Sequence, residues 1–426
     1  MLDIKFIREN KDLLKEVFKN KGSKIDIDYL ISLDEKRRNF ISKIDTLKSE
    51  QNRLKKDEIE KAKKIKIEIK NLQKELGNVI KEYNNLMLLV PNIYSSDTPI
   101  GEDEKSNKEI YRYGEIPKFN FQIKNHIQLG KELDLIDFEA GVKTSGFRGY
   151  YLKNEAALIS LALMWHCFFK MAQKGFMPMI PPTMLKEFAL IGSGHFPFFK
   201  EEVYQIVSSK EILKEEDGEA IYLAGTSEPS LLAYFSNKIL NENDLPIKIC
   251  GFSQCYRSEV GSYGKDVKGL YRLHEFMKVE QVVLCKNSIK ESDKWLEEMK
   301  NISCEILKEL ELPFRVIQIC SGDMGAGKYK MYDIETWMPS YNCYRETHSD
   351  SNLTDWQSRR LNIKYKDKNG EKKFVYCLNN TVIASPRILI AILENFQQKD
   401  GSIRVPKVLQ KYIGIDVIKK KNNERG

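Results

Sequence analysis

The 426 residues suffice for two or three domains, and 69 basic against 61 acidic side chains leave a formal charge of +8, which permits a polyanionic partner without requiring one. Eight cysteines are scattered with no CxxC pair, and none of the five histidines falls at an HxxxH spacing, which argues for reduced thiols in a cytoplasmic protein and against a structural zinc. No run of 18 or more apolar residues is present, so no membrane span is expected, and the start MLDIKFIREN has acidic residues and no apolar core, so no secretory signal is expected either.

Residues 1–25 read as one short helix (Ile4, Ile7, Leu13, Leu14, Val17) ended by Gly22. The most periodic segment follows. Leu33, Arg37, Phe40, Ile44, Leu47, Gln51 and Leu54 alternate steps of four and three, and so do Ile65, Ile69, Leu72, Leu76, Val79, Tyr83, Leu86 and Val90. Two heptad runs with a polar break near 56–60 predict an antiparallel two-helix coiled coil, its second helix ended by Pro91. With about 30 residues per helix at ~1.5 Å each, the arm reaches on the order of 40 Å. Residues 53–74 hold nine Lys or Arg and four Asp or Glu, a net +5 at the predicted tip. Such a run is commonly just a solvated face; it also suits an arm that grips RNA phosphates.

The polar stretch after the arm is punctuated by Pro91, Pro99, Gly101, Gly114 and Pro117, which sets the expected divisions: a helical arm over 1–100, a linker over 101–125 and a globular domain over 126–426. A helix over about 154–173 is apolar on most sides and is expected to be buried. Residues 174–182, KGFMPMIPP, read as a helix end, a short strand and a turn. A strand then delivers Thr226, Ser227 and Glu228 to a loop. Small hydroxyls with one carboxylate can bind an ammonium and a short polar side chain, although the same triplet is also a common helix start.

Residues 247–257 and 276–284 predict two antiparallel strands joined by a polar loop containing Gly261, Gly264 and Gly269. The strand ends carry Arg257 and Glu259, and the return strand carries Phe276 and Glu280. Around a nucleotide, a guanidinium clamps phosphate, a carboxylate two residues on accepts from an exocyclic amine, and an aromatic ring stacks on the base. A surface hairpin with a weak cross-strand ion pair fits the spacing equally well. Residues 321–328 imitate a phosphate loop, but Tyr329 stands where a Ser or Thr must hold the metal, so that reading fails. In YRETHSDSN, Glu346 and Ser349 offer oxygen ligands of the kind Mg²⁺ takes alongside phosphates. Finally, residues 377–395 read as a strand, a turn and an apolar helix, with Pro386 in its first turn and Arg387 at its start.

The pattern Tyr256-Arg257-Ser258-Glu259, loop, Arg272-x-His274-x-Phe276-x-x-Val279-Glu280 resembles motif 2 of the class II aminoacyl-tRNA synthetases, and in detail that of the seryl-tRNA synthetases. The resemblance covers nearly the whole chain. It extends to motif 1 near 174–184, motif 2 near 248–284, motif 3 near 377–395, the Thr226-Ser227-Glu228 triplet, and the GDMG and YDIETW segments at 322–325 and 332–337. It implies an α+β fold: an N-terminal antiparallel coiled coil, then a catalytic domain with a mainly antiparallel sheet flanked by helices. It further implies that ATP and Mg²⁺ are used to attach L-serine to tRNA(Ser) through a seryl-adenylate, with selenocysteine tRNA a further acceptor. The arm would hold the tRNA, and motif 1 would make a homodimer. Carried over residue by residue, Arg257 and Arg387 are the catalytic pair, at the α- and γ-phosphates. Glu259 meets the adenine amine and Phe276 stacks on the base. Ser258, Glu346, Thr347, His348 and Ser349 complete the ATP site, and Glu346 with Ser349 hold the metal. Thr226, Ser227, Glu228, Glu280 and Thr381 take the serine. Where the family often has glycines, this chain has Asn380, Val382 and Pro386, and His348 stands at a usually small position.

Three other readings stay open on sequence: a related enzyme charging a carrier protein, a non-catalytic RNA-binding coiled-coil protein, and a class II enzyme for a different amino acid. The coiled-coil arm counts against the first, and the intact Arg257, Glu259 and Arg387 against the second.

Overall fold

The computed structural model describes residues 1–55, 57–206, 220–260 and 269–420. Lys56 of the expected helix break, and Gly261 and Gly264 of the expected loop, lie outside the described residues. Two helices open the chain where one was expected, α1 (Ile4–Glu9) and α2 (Lys11–Asn20). Asn10 breaks them: its backbone leaves helical geometry at φ −125° and ψ 37°, and its side-chain amide donates to the Phe6 carbonyl at 3.0 Å.

The arm is α3 (Ile27–Arg53) packed on α4 (Ile59–Leu89). Asp26 caps α3 by accepting from the Asp28 and Tyr29 amides. Ile44, Ile65 and Ile69 are buried in the seam, flanked by Leu47, Leu54, Leu72 and Leu76, as the heptads require. Toward the base, buried Asp34 collects Arg8, Arg37 and Arg38 at 2.8–3.2 Å. The base is bolted to the rest of the chain by backbone carbonyls. Trp356 Nε1 donates to Val90 at 3.0 Å, Arg360 Nη2 to Leu88 at 2.6 Å, and Asn92 Nδ2 to Leu353 at 2.9 Å.

One eight-stranded sheet carries the second part. Its strands are β1 (Lys108–Tyr113), β2 (Met177–Met179), β3 (Ile247–Tyr256), β4 (Glu275–Cys285), β5 (Phe314–Gln318), β6 (Lys330–Met338), β7 (Cys343–Asn352) and β8 (Tyr376–Ala384). They lie in the order β1-β5-β6-β7-β8-β4-β3-β2, and only β2 on β3 is parallel. Residues 101–125 are therefore not simply linker, because β1 is an edge of this sheet and pairs with β5.

Alternation along the strands separates the two faces. Val279 and Val283 of β4 and Leu378 and Val382 of β8 join the core with α5 (Asn154–Gln173), α6 (Ile289–Glu309) and α7 (Ser385–Asn395). The intervening residues, Lys278 and Glu280 on β4 and Asn379 and Thr381 on β8, belong to the other face. Helix α5 is not buried all round: Ile159, Leu163 and Cys167 enter the core, while Leu158, Leu161, Trp165 and Phe169 stay exposed. By length and composition α5 could cross a membrane, but half of it is buried against the protein, as in a core helix.

Candidate active site

The central strands bring half of the singled-out side chains to one cavity. A cavity of about 100 Å³ is lined by Arg257, Phe276, Lys278, Glu346, Thr381 and Arg387, with Glu259 and Thr347 also on its wall. A second cavity, of about 630 Å³, shares Arg272, Glu346 and Arg387 with it and adds Asp333 and Arg345.

Thr226, Ser227, Glu228 and Glu280 do not line this cavity; Glu280 of β4 lies just behind its wall and faces Thr381 of β8, its cross-strand partner. The Thr381 hydroxyl donates to Glu280 Oε2 at 3.4 Å, and the same oxygen takes an ion pair from Lys278. All but a few per cent of both charged side chains is out of solvent. Burial pushes the Glu280 carboxyl above its usual range and Glu228 pushes it further, while Lys278 pulls it down. Glu228 opens a short helix (Glu228–Ala233), and its Oε1 accepts from Gln357 Nε2 at 2.6 Å and Asn379 Nδ2 at 2.7 Å. Thr226 is buried with a hydroxyl that has no partner among the described residues, an unmet hydrogen-bonding capacity that burial makes costly. Ser227 does something else: its hydroxyl donates to the Gly251 carbonyl at 3.3 Å and fastens the turn to β3. That close approach explains the glycine, since a Cβ on Gly251 would lie 2.8 Å from Ser227 Oγ.

Motif 2 supplies the adjoining wall. Arg257 donates through Nε to the Gly225 carbonyl at 3.3 Å, and its guanidinium lies 5.4 Å from the Phe276 ring centre. Glu259 adopts a φ of 52°, the left-handed region that costs a side-chain-bearing residue about 1–2 kcal/mol. Arg272 at 3.1 Å and Arg148 at 3.9 Å hold its carboxylate. Ser258 does not line the cavity. Its hydroxyl and amide donate to the carbonyls of Glu201 and Glu202 at 2.8 and 3.0 Å. Opposite, Arg387 donates through Nη1 to the Glu346 carbonyl at 2.7 Å and to its Oε2 at 3.2 Å, and lies over Tyr271 at 4.4 Å.

The 346–349 segment is split by a register shift between β6 and β7, where Glu335 faces Glu346 and Ile334 faces His348. Thr347 is the extra residue, which is how Glu346 and Thr347 both reach the cavity. His348 does not line it: it is buried beside Thr347, and burial pulls its imidazole down to about 3, so it is neutral. Ser349 pairs across the strands with Asp333. Burial and the nearby Glu346 raise the Asp333 carboxyl well above its usual range, and its Oδ1 is buried without a partner among the described residues. Asp333, Glu346 and Ser349 thus form an oxygen-only donor set. Among the described residues no group of three or more His, Cys, Asp or Glu gathers as a complete metal cage. Such a set fits Mg²⁺, which takes a few protein oxygens and completes its shell with phosphates and water.

Four residues at this site were not among the sequence candidates: Lys278, Gln357, Asn379 and Asp333. Lys278 and Asn379 were within reach of simple alternation, since each stands two residues before a candidate on the same strand face. Gln357 comes from a helix with no motif to mark it.

Two families of known proteins match the chain. Residues 1–94 match the seryl-tRNA synthetase N-terminal domain, and residues 210–396 match the tRNA synthetase class II core domain (G, H, P, S and T). Serine--tRNA ligase from Borreliella burgdorferi is 44% identical over 437 aligned residues, covering 99% of this chain and all of that one. The Deinococcus radiodurans serine--tRNA ligase is 40% identical over 97% of this chain and 98% of its own. Seryl-tRNA synthetase from Pyrococcus horikoshii, solved with ATP, superposes with a TM-score of 0.90 at 36% identity, covering 99% of this chain and 100% of that one. The cytoplasmic serine-tRNA ligase of Naegleria fowleri, solved with AMP, gives 0.87 at 33% identity and 99% of each chain.

Proposed function

This chain belongs to the seryl-tRNA synthetases of class II, and from that membership we propose that it charges tRNA(Ser) with L-serine in two steps through an enzyme-bound seryl-adenylate. The observation that carries the reading is the convergence of Arg257 and Arg387 on one cavity floored by Lys278 and Thr381, with Glu280 bonded to both.

In the first step a serine carboxylate oxygen attacks the α-phosphorus of ATP in line, the bond to the bridging oxygen breaks, and pyrophosphate leaves. Arg257 neutralises charge building on the α-phosphate, Arg387 holds the γ-phosphate, Phe276 stacks on adenine and Glu259 accepts from its amine. No covalent bond to the protein is needed. Positioning and charge neutralisation supply the rate. Glu228, Glu280, Thr226 and Thr381 hold the serine ammonium and hydroxyl. With alanine their buried groups would stay unpaired, which is how a polar pocket rejects a ligand lacking the hydroxyl. Glu346 and Ser349, with Asp333 behind them, would hold Mg²⁺, which when bound offsets the charge of the phosphates. In the second step a hydroxyl of the tRNA's terminal ribose takes the seryl group and AMP departs. Selenocysteine tRNA is a second acceptor.

The exposed basic residues of the arm, Lys61, Lys63, Lys64, Lys66 and Lys70 among them, would grip the tRNA backbone. The apolar strip of Leu158, Leu161, Trp165 and Phe169, next to exposed Met177, Ile180 and Met184 of motif 1, would bury itself in a homodimer. Trp165→Glu is then expected to give monomers by analytical ultracentrifugation; an unchanged dimer would move the interface elsewhere. Eight unpaired cysteines fit a reducing cytoplasm. Arg257→Ala tests the site directly. Serine-dependent ATP–pyrophosphate exchange should fall by about 10²–10³-fold, and near-normal exchange would refute the role.

A further inference from the structure

A third cavity, of about 190 Å³, adjoins the first and is lined by His195, Phe199, Glu202, Val203, Tyr256 and Arg257, with Gly225 at its edge. Arg257 is the one residue common to the linings of this cavity and the nucleotide cavity. His195 has no role in the reaction as described so far, yet its surroundings leave one ring nitrogen available. The Ser193 hydroxyl has the Leu190 carbonyl as an acceptor at 3.2 Å, and while it donates there it is free to accept from His195 Nδ1, which lies 2.9 Å away. In the tautomer that this arrangement accommodates, Nδ1 carries the proton and Nε2, for which no bond is recorded among the described residues, is left as an acceptor. Burial, with help from Lys328, Arg257 and Lys278, pulls the imidazole down to about 3 and keeps it neutral.

Resting on the charging reaction proposed above, we infer that this cavity receives the terminal ribose of the tRNA, with His195 Nε2 accepting a hydrogen bond from the hydroxyl next to the nucleophile. Location is the first argument. The acyl carbonyl of a seryl-adenylate hangs from the phosphate that Arg257 holds, and an attacking oxygen must come within about 3–3.5 Å of it. The cavity that shares Arg257 is the adjoining space from which to approach. Its lining is the second. Apart from Arg257 it presents acceptors and rings (His195, Glu202, Phe199, Tyr256), a set suited to a sugar and its base rather than to phosphate. The loop that builds it is tied to motif 2 by both Ser258 bonds to Glu201 and Glu202, so the two cavities are held in register.

In the transfer the ribose oxygen bonds to the seryl carbonyl carbon, the carbonyl–oxygen bond to AMP breaks, and the hydroxyl proton ends on the departing phosphate. A neutral imidazole of such low basicity does not take that proton. His195 orients the ribose and is a positioning residue.

The test separates the two steps in the full-length protein. Serine-dependent ATP–pyrophosphate exchange reads the first. Single-turnover transfer from preformed seryl-adenylate to a tRNA(Ser) transcript reads the second. His195→Phe removes the acceptor and should slow transfer about tenfold more than exchange, while His195→Gln, whose amide oxygen can accept, should recover most of the loss. Transcripts ending in 2′-deoxyadenosine or 3′-deoxyadenosine, whichever is still charged, should lose transfer with the native protein but lose little more with His195→Phe. Equal losses in exchange and transfer, failure of His195→Gln to recover, or additive losses with the deoxy transcript would each overturn the inference. Loss of exchange in the native protein would instead overturn the charging reaction itself.

Discussion

The arm and the cavity hold opposite kinds of polar chemistry. Near the arm's tip, away from the buried Asp34 cluster at its base, Lys63, Lys64, Lys66 and Lys70 stand in water, and the ion pairs there, Lys61–Glu50 at 2.9 Å and Lys63–Glu60 at 3.1 Å, are of the exposed sort worth about 0–1 kcal/mol. In the cavity wall and just behind it, Lys278, Glu280 and Glu228 are withdrawn from solvent and each is bonded to named partners. Exposed charges can be many, loosely placed and individually dispensable, because solvent screens them. Buried ones must be few and fully partnered, because an unpaired one costs several kcal/mol. The difference teaches how each region should respond to substitution: steeply in the cavity, gradually in the arm.

Arg387→Ala is the hardest blow to the cavity. Its guanidinium is anchored twice by Glu346 and stacked on Tyr271, so it is aimed before any substrate arrives. Exchange should fall by about 10²–10³-fold, with the binding of tRNA to the arm, read by filter retention, unaffected. If tRNA binding fell in step, the two regions would not be separable in the way their chemistry suggests.

Lys278→Met probes the buried pair with pH. On the proposed reading Glu280 binds serine in its charged form, and its carboxyl is already raised by burial and by Glu228. Lys278 is what lowers it, so its removal must raise the carboxyl further. The sign follows: the acid limb of kcat/KM for serine moves to higher pH, and at any pH below the limb the rate falls about tenfold per unit moved. A limb that stays in place, or moves down, would mean that another group sets it.

The same contrast decides what could be read from the chain. Heptads are a surface pattern repeated along one helix, so Leu33, Ile44, Ile65 and Ile69 mark the arm without any knowledge of neighbours. The catalytic strands were legible through motif order, and Arg257, Phe276, Thr381 and Arg387 do line one cavity. Partners that come from distant elements were not legible. Gln357 and Asn379 meet on Glu228 from positions 129 and 151 residues away. Strand β1, KEIYRY, is exposed along its whole length, so it carries no burial signal to distinguish it from linker. Helix α5 looks core-like all round because its exposed apolar face and the face packed on the sheet have the same composition. Ser258 and His348 lay in the right motifs, but the first fastens a loop and the second is buried away from the cavity.

The arm should give way by degrees. Replacing Lys63, Lys64 and Lys66 with Glu changes three exposed residues near the tip, none of them in the seam, so the coiled coil should melt within about 0.5 kcal/mol of native per site. Exchange should be unchanged, since the cavity is tens of ångströms from the tip on an arm of 27- and 31-residue helices at ~1.5 Å per residue. The KM for tRNA should rise about tenfold in low salt, and every lysine that had neutralised a phosphate should take about one unit from the slope of log affinity against log salt when it is replaced. That slope distinguishes grip from mere solvation. A face that only solvates the arm would leave the slope as it was, and any loss of charging would then have to come from misfolding, which the melting curve would reveal.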